Sequence, residues 1–576
     1  MKKKILSISL AILVLAQALF FIVPASAADG AWTGTEATAF AGGSGTADDP
    51  YQIANGAQLA YLAAQVNGGT DYKGQYVKLT DNIDLENREW LVIGTHGKAF
   101  QGVLDGNGKT ISNLYLAEEK ANDISLFGQV VGATIKNLTV SGKITGKPTK
   151  GAKGGQKYPS VAMVFGSIDT GSVVENVTVY ADIAVKDALD YYYVAGLAGN
   201  VQGGSTVKNC RTYGSISVTN GSTGLECLVG GVIGRAWDCM IVDCINYAKV
   251  SSTRANATTA SGGIVGATYY ADGDPDDTVT IKRCINYGEI FVDAGTGNYR
   301  AGGMVGNSGR WGNNRGYIVM ESCVNIGNLS GNGVTGAGGA NGMIGFDESK
   351  KTTINNCIAV NSIISKPARS STVVTNCVTG LSVDTLDGAR VRIAQPTGIR
   401  FDSTVSKAAY DSLKAMGADV TLGTLIAPTQ RVAEAGAFTR EALDALSASL
   451  SGTPTYQTVV FTPGTSSWVD TDNEELYGFS GALAKINSEN YNLGFSAVGY
   501  ITVTLGELTF TLYADYNGEA LRTRSIAYTA TLAYADRTET ADATHTVYVE
   551  ADGNYSPYSA EALAIIKGFA DQHVAG

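Results

Sequence analysis

The sequence predicts a mainly β protein, in which a parallel β-helix is followed by a smaller α+β module. One observation is a glycine motif that occurs five times, at 195–199 (AGLAG), 230–234 (GGVIG), 262–266 (GGIVG), 302–306 (GGMVG) and 341–345 (NGMIG). Another is a strand-like segment after each motif that carries a cysteine: Cys210, Cys244, Cys284, Cys323 and Cys357. Successive cysteines are 34, 40, 39 and 34 residues apart, and a period in this range indicates stacked structural units.

Each repeat contains apolar-alternating stretches bounded by Gly, Asn and Ser, as in 281–292 (IKRCINYGEIFV). Such stretches are strand signals with turn residues between them, and the repeats show no helical period. Because the same strand type returns once per repeat, it must pair in parallel with the next repeat, about 4.8 Å away. Weaker rungs upstream place Leu114, Leu138 and Val177 at the cysteine position, and Cys377 marks one last rung downstream.

The segment before the repeats predicts a short amphipathic helix. Asn55 is a candidate N-cap, and Gln58 follows three residues later in a capping-box arrangement. The apolar face consists of Leu59, Leu62, Ala63 and Val66. We expect this helix to cover the end of the β-helix, where backbone groups would otherwise be unpaired.

These motifs resemble those of bacterial secreted proteins that carry the GLUG motif on a pectin-lyase-like right-handed β-helix. The resemblance covers about residues 42 to 380 and includes the entry segments 45–69, 76–85 and 100–114. Members of this family are mostly secreted or cell-surface proteins, including non-catalytic parts of adhesins and proteases. The resemblance therefore implies a right-handed helix and an exported location, and it implies an activity less directly.

The N-terminus reads as a secretory signal peptide, with three lysines, an apolar stretch and the small-residue sequence ASA at 25–27. The predicted organisation is a signal peptide at 1–27, an N-terminal segment with the capping helix at 28–74, the β-helix at 75–380 and the α+β module at 381–576. No later segment is long and apolar enough to span a bilayer. We expect a secreted or noncovalently attached surface protein, since no LPxTG-type sorting signal occurs.

The net charge narrows the possible partners, and the positions of the cysteines indicate the state of their thiols. The formal net charge is −11, which argues against binding to nucleic acid. Six of the eight cysteines occupy one repeat position, so we expect reduced, inward-facing thiols that act as small apolar fillers. Stacked neighbours would have parallel Cβ vectors, which does not suit a disulfide. Cys227 and Cys239 lie outside this row, and a disulfide between them stays open.

After about residue 381 the repeat ends and helical patterns occur at 406–417, 439–450 and 559–574. Strand-like runs occur at 398–403, 420–428, 477–486, 497–505 and 508–516, which together predict an α+β module with an antiparallel sheet. Three short segments of this region resemble a C-terminal module of uncharacterised function in secreted proteins of Gram-positive anaerobes. They are 398–401 (GIRF), 423–428 (GTLIAP) and 495–501 (FSAVGYI).

Catalytic motifs are scarce. The three histidines form no H-E-x-x-H segment, and no G-x-S-x-G elbow occurs. The acidic loop 270–277 (YADGDPDD) offers Asp272, Asp274 and Asp276 as a weak Ca²⁺ candidate, although the pattern lacks the other ligands of a calcium loop and its Gly and Pro alone explain a solvated turn. We expect no cofactor. The enzymatic alternative is a polysaccharide lyase or glycoside hydrolase with paired acids on the β-helix flank.

Aromatic and arginine residues follow the glycine motifs at corresponding places: Arg235, Trp237, Tyr269, Tyr270, Arg310 and Trp311. Loops at one repeat position emerge on one face of a solenoid, so these side chains would form a stripe. Such a stripe suits stacking on sugar rings or anchoring a protein. The alternative is that the rings fold back and cover the flank. We therefore predict a non-catalytic protein for adhesion or for binding an extracellular glycan or cell-surface protein; a passive spacer is the remaining alternative.

Overall fold

The computed structural model describes residues 32–118, 123–146, 160–188, 192–221, 227–253, 259–269, 277–295, 299–310, 317–332, 340–349, 351–360, 371–386, 389–452, 454–463, 468–469, 471, 473–516, 523–536 and 560–574. They form two compact units, and the boundary between the units lies between Gly380 and Leu381. The first unit consists mainly of three long parallel sheets, and the second combines antiparallel sheets with helices.

The largest sheet of the first unit, sheet A, has 21 described strands. They are Tyr51–Ile53, Tyr76–Leu79, Ile83–Asp84, Val103–Leu116, Thr134–Ile144, Val173–Ala188, Ser205–Lys208, Arg211–Gly221, Cys239–Val242, Ile245–Asn246, Lys249–Thr253, Thr278–Lys282, Ile285–Asn286, Ile290–Asp293, Tyr317–Glu321, Val324–Asn325, Leu329–Asn332, Lys351–Asn355, Ile358–Val360, Ser371–Thr375 and Val378–Leu381. Corresponding strands of successive repeats pair in parallel, for example Ile241 with Ile281 and Ile281 with Met320.

Two further sheets contain the segments around the glycine motif. Sheet B consists of Ser160–Ala162, Tyr192–Ala195, Cys227–Gly230, Thr259–Gly262, Tyr299–Gly302 and Ala340–Asn341. Sheet C consists of Phe127–Val131, Phe165–Asp169, Ala198–Val201, Ile233–Ala236, Val265–Tyr269, Val305–Arg310 and Ile344–Asp347. Each repeat contributes in turn to sheet A, sheet B and sheet C, and all pairings within B and C are parallel. The predicted parallel stacking is thus confirmed, and it fits a β-helix.

The glycine motif forms the corner between a strand of sheet B and the next strand of sheet C. A Cβ atom on Gly262, the last residue of its sheet B strand, would lie 2.0 Å from the carbonyl oxygen of Val265. At the next position a Cβ on Gly263 would lie 2.3 Å from the carbonyl oxygen of Gly303 in the neighbouring repeat. The apolar residues of the corner, such as Ile264 and Val265, are fully buried in the main core. The motif therefore combines a tight corner with two core side chains.

The cysteines at the repeat position, which we call the thiol row, are reduced as predicted. All eight cysteines are free, and Cys210, Cys244, Cys284, Cys323 and Cys357 are completely buried in the main core. Each thiol lies near the carbonyl oxygen two residues before it, at 3.3 Å for Cys244 and Val242. Cys227 and Cys239 are also free and buried, so they do not form the disulfide that the sequence left open.

The predicted N-terminal helix is α1, Gly56–Gly68. The Asn55 side chain accepts a hydrogen bond from the backbone N–H of Gln58 at 3.1 Å, and Gln58 Oε1 accepts one from Ala54 N–H at 2.7 Å. Its predicted apolar face is buried in the main core of the first unit. The capping pattern and the helical period read from the sequence are both confirmed.

The second unit contains two four-stranded antiparallel sheets. Sheet D consists of Val383–Thr385, Arg390–Arg392, Gly398–Ser406 and Leu476–Ala484, and sheet E consists of Asp419–Pro428, Gln457–Phe461, Phe495–Leu505 and Leu508–Tyr513. The described helices are α2 (Lys407–Ala415), α3 (Thr429–Ala435), α4 (Arg440–Ser449), a 3₁₀ turn (Ser488–Asn490), α5 (Ile526–Asp536) and α6 (Ala560–Ala570). The three helical patterns and five strand runs read from the sequence fall on observed elements. The elements that were not predicted are α3, α5, the 3₁₀ turn and the strands Val383–Thr385, Arg390–Arg392 and Gln457–Phe461.

Candidate functional site

The candidate site lies where the outward faces of sheets B and C approach each other, just beyond the glycine corner. The last glycine of each motif makes this approach possible: a Cβ on Gly234 would lie 3.1 Å from Cβ of Tyr193, and one on Gly266 would lie 2.8 Å from the backbone nitrogen of Val229. A small apolar cluster separate from the main core fills the space and consists of Tyr193, Leu228, Ala260, Ala267 and Tyr269. We call the cluster together with Arg235 and Trp237 the Arg235 cluster.

Arg235 occupies the centre of this cluster. Its guanidinium carbon lies 5.0 Å from the ring centroid of Tyr269, 5.4 Å from that of Trp237 and 5.5 Å from that of Tyr193. All three distances are within the range of cation–π attraction. Tyr193 is buried, whereas Arg235, Trp237 and Tyr269 are partly exposed. The cluster is therefore a cation surrounded by aromatic rings that reaches the surface on one side.

Hydrogen bonds fix the surroundings of the guanidinium. Arg235 Nη1 donates to Oδ1 of Asn200 at 3.3 Å, and Asn200 Nδ2 donates to Gln202 Oε1 and Ser167 Oγ, both at 3.1 Å. With its amide hydrogens so engaged, Asn200 must turn its oxygen toward the arginine. Trp237 Nε1 donates to Oδ2 of Asp277 at 2.7 Å, which fixes the indole ring.

Three of the six side chains predicted for the ligand stripe, Arg235, Trp237 and Tyr269, thus meet in one cluster. The backbone of Arg310 lies at the end of a sheet C strand, opposite Tyr269, and its side chain lies outside the described part of the structure. Tyr270 and Trp311, together with the calcium candidates Asp272, Asp274 and Asp276, also lie outside the described residues. Among the described residues, no group of three or more His, Cys, Asp or Glu is placed to hold a metal ion.

A second aromatic feature, a tyrosine row on the outer face of sheet A, was missed by the sequence reasoning. Tyr180, Tyr213, Tyr247 and Tyr287 stack in succession, with ring centroids 5.0, 4.7 and 4.9 Å apart and interplanar angles of 15°, 3° and 4°. All four are partly exposed. Burial raises the pKa of the Tyr213 phenol, and the neighbouring phenols of Tyr247 and Tyr180 raise it further, so Tyr213 stays neutral at ordinary pH. A signal was present, because a tyrosine follows the thiol position by three residues in three successive repeats.

An asparagine ladder inside the first unit was missed as well. Asn246 Nδ2 donates to Asn286 Oδ1, and Asn286 Nδ2 donates to Asn325 Oδ1, each at 2.8 Å. Each of these amides also donates to the backbone carbonyl two residues ahead, and all three side chains are fully buried. The ladder starts at Thr212, whose hydroxyl donates to Asn246. The ladder connects the rungs through hydrogen bonds, which are stronger in the low-dielectric interior than in water.

The charged side chains on the outer face of sheet A pair across neighbouring rungs. The pairs with nitrogen–oxygen distances of 2.6 to 3.7 Å are Asp105–Lys136, Lys143–Asp182, Glu175–Lys208, Asp243–Arg283, Lys249–Glu289 and Lys282–Glu321. All are partly or largely exposed, so each contributes about 1 kcal/mol or less to stability. Each carboxylate of these pairs is engaged by a cation of a neighbouring rung.

Comparisons with known proteins give partial matches. No family model matches the chain. It is 36% identical over 163 residues to "Halomucin" of Haloquadratum walsbyi, covering 25% of this chain and 2% of that protein. It is 32% identical over 130 residues to a "Putative Gly-rich membrane protein" of Evansella cellulosilytica, covering 21% of this chain and 15% of the relative. A solved "IgA1 Protease" structure matches 52% of this chain and 21% of its own, with a TM-score of 0.35 and 16% identity.

The chain therefore spans only a small part of the length of these curated relatives. In the described part of the chain, none of the helices has the length and apolar character needed to cross a membrane.

Proposed function

We propose that this protein is exported and acts at the cell surface or in the extracellular space as a non-catalytic adhesion or ligand-binding protein. In this proposal a right-handed, pectin-lyase-like β-helix of the GLUG type forms a rigid scaffold. The α+β module at 381–576 follows it, and any attachment to the cell surface is noncovalent. The predicted signal peptide at 1–27 and the names of the two relatives support an exported setting.

The observation that carries the binding role is the Arg235 cluster. Trp, Tyr and Arg are the residue types most enriched where binding energy concentrates, and here they meet at the rim of one corner. The side chains are held in place by the Asp277–Trp237 hydrogen bond and by the Asn200 amide. Parallel rungs on either side make the supporting backbone stiff, so little ordering entropy is lost when a ligand binds.

The test is a retention assay with the chain from residue 28 onward, incubated with peptidoglycan, mucin glycans and immobilised cell-surface proteins. We expect one class to be retained, and we expect Trp237→Ala to reduce retention because it removes one ring and the hydrogen bond to Asp277. The matched control is Tyr115→Ala, a partly exposed aromatic on sheet A outside the cluster.

Each outcome assigns a different role. Release of oligosaccharides in the same samples would contradict the non-catalytic role and support a polysaccharide lyase or glycoside hydrolase. Retention that Trp237→Ala leaves unchanged would remove the cluster from the proposal. Absence of any retention would support a passive spacer.

A further inference from the structure

We infer that the Arg235 cluster takes a carboxylate, and that its ligand is a protein segment with an acidic side chain beside an apolar one. This inference rests on the binding role proposed above and names the chemical class of the ligand at that same site. It follows from the charge state of the cluster, from the orientation of its rings and from the donors that Arg235 leaves unused.

The first argument is charge. Several described lysines and arginines on the outer face of sheet A pair with carboxylates of neighbouring rungs, as in Arg283 with Asp243 and Lys249 with Glu289. Arg235 makes no ion pair with any residue that the structure describes, and its partners are three rings and one amide oxygen. A partly buried guanidinium without a counter-ion is most strongly complemented by an anion, and a carboxylate fits its planar fork.

The second argument is the orientation of the rings. Tyr193, Trp237 and Tyr269 lie against the guanidinium at 5.0 to 5.5 Å, within cation–π range, so these rings are already engaged by a cation. A neutral sugar would have to compete with Arg235 for a ring face. An anion binds the guanidinium itself and leaves the ring contacts intact. The arrangement therefore favours an acidic ligand over a neutral glycan.

The third argument is hydrogen bonding. Arg235 has five N–H donors, and Nη1 bonds Asn200. Its Nε is buried and has no hydrogen-bond acceptor. A buried donor without an acceptor is costly, and such a group in a folded protein calls for an explanation. A carboxylate oxygen within hydrogen-bond distance of Nε would satisfy this donor.

A protein segment is favoured over a polyanion by the charge of the chain. At a net charge of −11 the protein repels densely charged polymers at long range, whereas a single carboxylate in an otherwise apolar segment is repelled much less. Apolar contact beside the arginine is offered by the partly exposed rings of Trp237 and Tyr269, whereas Leu228, Ala260 and Ala267 are buried and form the floor of the cluster. The combination of an apolar floor, aromatic walls and one cation is typical of a protein-binding hot spot.

The experiment is selection of a random displayed-peptide library against the chain from residue 28 onward. We expect enriched peptides to share an Asp or Glu next to an aromatic or aliphatic residue. Affinity for a synthetic copy should fall about tenfold or more in Arg235→Gln and also in Arg235→Lys, which keeps the charge but loses the planar fork. Arg283→Gln, which removes a surface cation that already has a carboxylate partner, is the matched control and should bind as the unchanged chain does.

A second arm avoids any change to the protein: the enriched peptide is resynthesised with Gln or Asn in place of its acid. Loss of binding together with unaltered melting of the Arg235 variants would support the inference. Enriched peptides without an acid, or binding indifferent to Arg235→Gln, would overturn it. Retention of an acidic glycan such as hyaluronan, lost in Arg235→Gln, with no enriched peptide, would overturn the protein ligand but preserve the proposed binding role. Failure of both arms and of the retention assay would overturn both.

Discussion

Asp123 is a single buried carboxyl group that makes the stability of the first unit depend on pH. It is 4% exposed and accepts a hydrogen bond from the backbone N–H of Ser160 at 2.7 Å. Burial raises its pKa to about 7, and the Ser160 hydrogen bond opposes that rise only in part. At neutral pH the folded chain therefore holds a proton that the unfolded chain has released.

The expected result is a pH-dependent stability that Asp123→Asn abolishes. Because the folded-state pKa is raised, the free energy of unfolding falls as pH increases from about 4 to about 7, by on the order of 4 kcal/mol, and is level above that range. Urea unfolding of the first unit at pH 5 and at pH 8 measures the difference. Asp48→Asn, which removes an exposed carboxyl elsewhere in the first unit, is the matched control. An equal slope in Asp123→Asn would contradict the assignment.

At the glycine corner, Gly262→Ala should be strongly destabilising. The added Cβ would lie 2.0 Å from the Val265 carbonyl oxygen, and the obstacle is backbone that cannot rotate away. We expect a loss of about 3 kcal/mol or more in the free energy of unfolding. Gly68→Ala, in the last turn of α1 with open space around it, should be neutral or slightly stabilising. Similar melting temperatures for the two variants would refute this account of the motif.

Among the elements, the tyrosine row makes a position-dependent prediction. Tyr247 stacks on two neighbours, Tyr213 and Tyr287, whereas Tyr287 stacks on Tyr247 alone among the row. Each stacked pair contributes about 0.5 to 1.5 kcal/mol beyond the area that it buries. Tyr247→Ala should therefore cost more than Tyr287→Ala by about one such pair, measured by chemical unfolding of both variants. Equal losses would show that the stacking contributes nothing beyond burial.

The thiol row makes a prediction for the whole chain. Since all eight cysteines are free, a thiol reagent should titrate eight groups after denaturation, and a reductant should leave the melting temperature unchanged. In the native chain Cys377 should react first, because it is partly exposed and its contact with the Cys357 side chain lowers its pKa to about 7. Fewer than eight groups in the denatured chain, or a gel shift without reductant, would reveal a disulfide.

Several features could be read from the sequence because they depend on periodicity. The parallel stacking and the buried thiol row follow from a repeat whose apolar residues return at fixed offsets, and helix α1 follows from apolar residues at helical spacing. A local hydrogen bond could also be predicted, namely the one by which the Asn55 side chain caps helix α1. Arg235, Trp237 and Tyr269 could be named as candidates because they follow the same motif in successive repeats.

Tertiary structure alone decided which side chains meet. Ala260 and Ala267 lie on different sheets, and the close approach of B and C at the last glycine of each motif brings them into one cluster. Ala267 is the register partner of Arg235 in sheet C. The partners Asn200 and Asp277 come from neighbouring repeats, 35 and 40 residues away from the side chains that they bind. The asparagine and tyrosine rows likewise require the register between rungs. Sequence periodicity fixes what recurs, whereas the corner geometry and the register determine what touches, because both depend on contacts between distant backbone segments.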